Sequence, residues 1–142
     1  MKNNKWYVIS TFVLGCIVIN FAGRILSDRL QLPLWLDSFG TVTAAYVLGP
    51  LCGAMVGMTV NLTYGILYSW TNMFCALVSA MVGITTGICA KKGFLKNLYG
   101  VLSTSFLVAV LSVTLSVPLN YLYCDGSTQN IWGDGVIESM EK

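Results

Sequence analysis

Asp37 is the one acid in the stretch LPLWLDSFGTVTAAYVLGP, and after it no charged residue occurs until Lys91. With the neighbouring hydroxyl of Ser38 it can anchor a polar group of a small ligand. It can equally sit at the start of a helix, where an acid gains about 0.3–1 kcal/mol from the helix dipole. Asn61 is an amide deep in an apolar run and costs free energy there unless it is hydrogen-bonded. With Tyr64 and Tyr68 one and two turns further on, it either lines a polar cavity or ties two helices together. Near the C-terminus, NIWGD brings Asn130, Trp132 and Asp134 together: an indole, two hydrogen-bonding groups and a flexible glycine. Such a set suits the capture of a flat polar molecule as well as it suits an ordinary solvated loop.

Chemistry of other kinds is not expected. The chain has no histidine, and its five cysteines form no CxxC pair, so no metal or cofactor site is expected. Neither paired carboxylates nor a nucleophile constellation appears, which argues against an enzyme. Basic residues are few and sit at the ends of apolar runs, so nucleic acid is not an expected partner.

The elements that must position these residues follow from composition. Of 142 residues, 56% are hydrophobic and 10% charged, with a mean hydropathy of +0.72. Soluble domains carry about 25% charged residues, so the chain reads as one all-α integral membrane domain over residues 1–142. Three charge-free gaps, Trp6 to Gly23, Ser38 to Ala90 and Asn97 to Cys124, each reach the roughly 17–25 residues that a crossing helix needs. Lys2 and Lys5 before the first run resemble a signal peptide, and Val13-Leu14-Gly15-Cys16 a lipoprotein cleavage box. The run continues past Cys16, however, and no soluble domain follows, so cleavage is not expected.

Lysines set the topology. Lys2 and Lys5 put the N-terminus on the cytoplasmic side, as do Lys91, Lys92 and Lys96 for their loop, so an even number of crossings lies between them. Gly49-Pro50 and Ser69–Asn72 break the long middle gap. The resulting helices are 6–25, 37–48, 50–69, 74–90 and 97–117, and the second, at about 18 Å, must be tilted, sheltered or prolonged. Asp37 then faces the exterior end, and residues 124–142 form a polar extracytoplasmic tail or the start of a lost last helix.

Helix three carries Gly49, Gly53, Gly57, Asn61 and Gly65 at four-residue spacing along one face, and helix four repeats the device with Ser79, Gly83 and Gly87. These glycines let neighbouring helices approach closely in lipid.

LPLWLDSFGT followed by LGPLCGAMVGMTVNLTYG resembles the Leu-Asp-x-Phe/Ile-Gly-Thr and Leu-Gly-Pro-x-x-Gly-x-x-x-Gly pattern of the substrate-binding S components of energy-coupling factor (ECF) transporters, bacterial importers of vitamins and related micronutrients. NIWGD is similar to a stretch in one branch of that family, and the resemblance covers about residues 5 to 138. It implies a multi-pass protein of the bacterial cell membrane with six helices. The ligand binds near the outer face, held by Asp37, Ser38, Asn61 and Tyr64 and closed in by Asn130, Trp132 and Asp134. The implied partners are a transmembrane T component and two cytoplasmic ATPases, in keeping with the absence of a GxxxxGK[ST] loop. Two departures stand out: five helices are read where the family has six, as in a C-terminally truncated member, and the small-residue docking face of helix one is reduced to Thr11, Gly15 and Ala22. A ligand-binding membrane sensor without transport and a small pore-forming protein are the other function classes that the pattern admits.

Overall fold

In the computed structural model, residues 4–30, 36–68, 70–123, 135 and 138–139 are described. They form five α-helices and no strand: α1 (Asn4–Leu30), α2 (Phe39–Leu48), α3 (Pro50–Leu67), α4 (Thr71–Lys91) and α5 (Leu98–Tyr123). Short 3₁₀ turns at Leu36–Ser38 and Phe94–Lys96 lead into α2 and α5. Four of the helices, all but α2, are long and apolar enough to cross a membrane, and the chain is a multi-pass helical membrane protein.

The helix ends differ from the sequence reading in two instructive places. Helix one does not stop at 25 but carries Asp28 and Arg29 on to Leu30, where Arg29 is a good helix former and its positive charge suits the last turn of a helix. The last helix does not stop before Pro118 but runs through it to Tyr123. A proline forfeits one hydrogen bond, a loss that transmembrane helices tolerate by local adjustment.

Helix α2 is only ten residues long, about 15 Å and half a hydrocarbon core. It nevertheless returns the chain. Its start lies against Cys16 and Asn20 of α1, whereas Ala45 meets Gly53 and Thr41 meets Gly57 of α3, so α2 is antiparallel to both of them. Contacts of α2 with α1, α3 and α4 shelter it, and Ala44 and Ala45 are fully buried. At Gly49 the backbone turns with φ 98°, a left-handed value that glycine reaches without steric cost. Gly49 therefore serves the turn between α2 and α3 rather than a helix face, and its neighbour there is the Lys91 side chain.

The remaining ladder glycines pack helices. A Cβ on Gly53 would lie 2.5 Å from that of Ala45 in α2, and one on Gly57 3.0 Å from that of Ser79 in α4. At Gly65 it would lie 2.5 Å from Met73 Cγ, at Gly83 2.5 Å from the Ala54 nitrogen, and at Gly87 it would strike Pro50. Helix α3 is thus wedged between α2 and α4 with almost backbone-to-backbone contact. Cys16, Ala44 and Val56 form the core where α1, α2 and α3 meet. Helix α5 lies outside this core, antiparallel to α4, with Phe74 and Tyr123 stacked at 3.9 Å and only Thr104 buried among its residues. Its apolar side chains, like those on the outer face of α1, are presented outward, as lipid requires.

This arrangement puts Lys91, Lys92 and Lys96 at the end of the bundle where α1 begins. Asp37 lies at the opposite end.

Candidate functional site

At that opposite end the structure gathers charged and polar groups from four elements: α1, the turn before α2, α3 and α4. Asp37, in the 3₁₀ turn before α2, has a side chain only 5% exposed. Its Oδ2 accepts a 3.3 Å hydrogen bond from Nη1 of Arg24 in α1. The Nη2 of Arg24 donates to Oδ1 of Asn72, in the first turn of α4, at 2.7 Å. The guanidinium also lies 4.9 Å from the centre of the Tyr64 ring in α3, within cation–π range. The Tyr64 hydroxyl donates to Asp28 Oδ2, and Asp28 Oδ1 stands 3.8 Å from Arg24 Nε, one helical turn away. Phe21 meets the Tyr64 ring edge-on at 5.8 Å, and Tyr68 stacks on it at 4.5 Å. One arginine thus faces two aspartates inside an aromatic wall.

Asp37 is therefore not a lone carboxylate, and the helix-capping role open to it in the sequence is filled by another residue. Ser38, the residue before α2, makes no side-chain cap bond there. The backbone N–H of Gly40 is satisfied instead by Oδ1 of Asn20 in α1, at 2.6 Å, while Asn20 Nδ2 donates to the Thr41 hydroxyl at 2.9 Å. Asn20 is fully buried and caps α2 from across the helix interface. A Cβ on Gly40 would overlap the Cys16 carbonyl, so Gly40 is what lets the two backbones come close enough for this cap.

Among the described residues two buried polar atoms have no hydrogen-bond partner: Asp37 Oδ1 and Arg24 Nε. The separation of Nε from Asp28, 3.8 Å, is an ionic contact and too long for a hydrogen bond. Buried polar groups are nearly always paired, and an unpaired one costs about 1–3 kcal/mol. An unpaired buried acceptor on one side and an unpaired buried donor on the other leave the ion pair half-satisfied.

Of the residues singled out in the sequence, Asp37 and Tyr64 are joined through Arg24. Ser38 adjoins the cluster in sequence and is half-buried. Asn61 is buried, but its amide is spent between helices: Nδ2 donates to the Gly57 carbonyl at 3.1 Å and to Ser79 Oγ at 2.7 Å. Asn130, Trp132 and Asp134 lie outside the described residues. Sequence reasoning missed Arg24, Asp28, Asn20 and Asn72. The signal was present, since Asn20, Arg24 and Asp28 follow at four-residue spacing on one face of α1, a polar stripe inside an apolar helix. Among the described residues no group of three metal-ligating side chains occurs.

No family model, curated protein or solved structure matches the chain.

Proposed function

We propose that the chain is the membrane-embedded, substrate-binding subunit of an ECF-type importer, and that the Arg24–Asp37 cluster forms the polar end of its ligand site. The observation that carries this reading is the pair of unpartnered buried atoms, Asp37 Oδ1 and Arg24 Nε. Ionisable residues within membrane helices are expensive and mark ligand or ion pathways. A pair with open hydrogen-bonding capacity is more than helix glue. The cluster holds two carboxylates and one guanidinium, and this excess of negative charge favours a ligand that brings a donor or cationic group to Asp37. With the lysine end taken as cytoplasmic, ligand reaches the cluster from outside the cell. Translocation is then energised by a T component and two ATPases, and the ligand is a vitamin or related micronutrient.

Mass spectrometry of small molecules extracted from the purified protein tests the reading, with wild type beside Asp37→Asn. A species retained by wild type should fall about tenfold or more in the variant, the loss of one hydrogen bond to a charged group being about 1.5–3 kcal/mol. Co-expression with a T component and its ATPases should recover a complex. If no species is enriched, or if Asp37→Asn retains it undiminished while folding normally, the assignment fails.

A further inference from the structure

The lysine end of the molecule holds a second feature. Between α4, the turn Phe94–Lys96 and α5 lies a cavity of about 390 Å³, walled by Thr85, Ile88, Lys92, Phe94, Leu107 and Leu111 among others. From Lys92 to Thr85, or from the level of Ser103 to Leu111, the lining advances about 10–12 Å along the helices. One end is therefore at the membrane interface, at a lysine, and the other is well into the hydrocarbon region, among leucines.

The charge around the interfacial end is of one sign. Between Ser38 and Tyr123 the only charged residues are Lys91, Lys92 and Lys96. The two salt bridges of the described residues both belong to Arg24, at the opposite end. Helix α4 therefore ends in two lysines that no acid of the α4–α5 hairpin answers, beside an apolar slot open between two membrane helices. Basic pockets between transmembrane helices recognise anionic lipid headgroups. Two of the polar wall groups, Ser103 and Thr104, lie towards the lysine end, where the ester region of a phospholipid would sit, and Thr85 lies at the deep end; Thr104 spends its hydroxyl on the Gly100 carbonyl at 2.7 Å.

We infer that this slot is a binding site for an anionic phospholipid, with the phosphodiester on Lys92 and one acyl chain laid along Ile88, Leu107 and Leu111. The lipid would complete the packing of α5, which has a single buried residue and leans on α4. The site is independent of the Arg24–Asp37 cluster and holds whatever that cluster binds.

Native mass spectrometry of the purified full chain, titrated with phosphatidylglycerol or phosphatidylcholine of matched acyl chains, measures it directly. Phosphatidylglycerol should be retained preferentially. Lys92→Gln should weaken it about fivefold, the contribution of one lysine at an anionic headgroup, and Lys92→Arg should restore it. Leu107→Trp, which fills the slot, should reduce phosphatidylglycerol binding with Lys92 intact, whereas glycerol phosphate without acyl chains should not compete. A photoactivatable phosphatidylglycerol should label the segment 85–111. Equal retention of the two lipids, full competition by glycerol phosphate, or a Lys92→Gln variant that is helical and keeps its phosphatidylglycerol would overturn the inference.

Discussion

Replacing Arg24 with methionine should be among the most destabilising single changes in the chain. Among the described residues its guanidinium is the one hydrogen-bond donor to Asp37 Oδ2, and Oδ1 has none. With the arginine gone, a carboxylate whose side chain is 5% exposed is left uncompensated. Breaking a buried ion pair from one side costs about 3–5 kcal/mol, and Asn72 loses its 2.7 Å donor as well. Removing both charges, as in Arg24→Met with Asp37→Leu, is a different perturbation, because a buried pair replaced by apolar side chains is often neutral or better. The double variant should therefore lie within about 2 kcal/mol of wild type, and the coupling between the two positions should be large, about 2–3 kcal/mol. Reversible unfolding in mixed dodecyl maltoside and sodium dodecyl sulfate micelles, followed by helical circular dichroism, gives the four free energies of the cycle. A cost below about 1 kcal/mol for Arg24→Met, or additive single and double variants, would show that the pair is solvated and that the cluster is not the buried site described above.

Two further changes probe the frame that holds the cluster. Asn20→Ala removes the partner of both the Gly40 N–H and the Thr41 hydroxyl, and should cost about 1–3 kcal/mol in the same assay; a loss below about 0.5 kcal/mol would mean that the cap is replaceable. Gly83→Val puts branched carbon where a Cβ already falls 2.5 Å from the Ala54 backbone. It should separate α3 from α4, lower thermal stability by the equivalent of about 1–3 kcal/mol and lose ligand, while Gly15→Ala, where nothing lies within 4 Å of an added Cβ, should leave both unchanged.

The membrane class, the number of helices and the turn at Gly49-Pro50 were legible because they depend on local quantities: hydropathy over a helix length, lysine positions, and the backbone freedom of one glycine. The glycine ladder was legible for the same reason, as a four-residue period marks a helix face whatever packs on it. What escaped was pairing across helices. Nothing local tells which carboxylate Arg24 meets, since Asp28 is four residues away and Asp37 is thirteen. Read locally, Arg24 is only the last charged turn of a helix over 6–25, with no partner across the bundle. Asp37 likewise satisfied every local rule for a helix cap, yet its side chain turns to Arg24 and leaves the cap to Asn20, because a buried carboxylate gains more from a guanidinium than from a backbone amide that an uncharged asparagine can serve.

The shortness of α2 connects the fold to the cluster. A helix that spanned the bilayer would begin near the membrane surface and carry its preceding aspartate into water. Helix α2 has ten residues, and the turn before it lies level with Arg24, six residues short of the end of α1 at Leu30, or about 9 Å below that end. Helix α3 stops nearby, at Leu67, and α4 starts at Thr71, so Tyr64 and Asn72 arrive at the same depth. A half-length helix thereby draws a carboxylate down into the bundle, and the polar stripe on α1 supplies the arginine that meets it there. The small residues of α2 serve the same end, since Gly40, Thr41, Ala44 and Ala45 are all buried and allow the short helix to sink between α1, α3 and α4. Enlarging any of them would push α2 outward, which is why the apolar packing of this helix and the charge of the cluster cannot be altered independently.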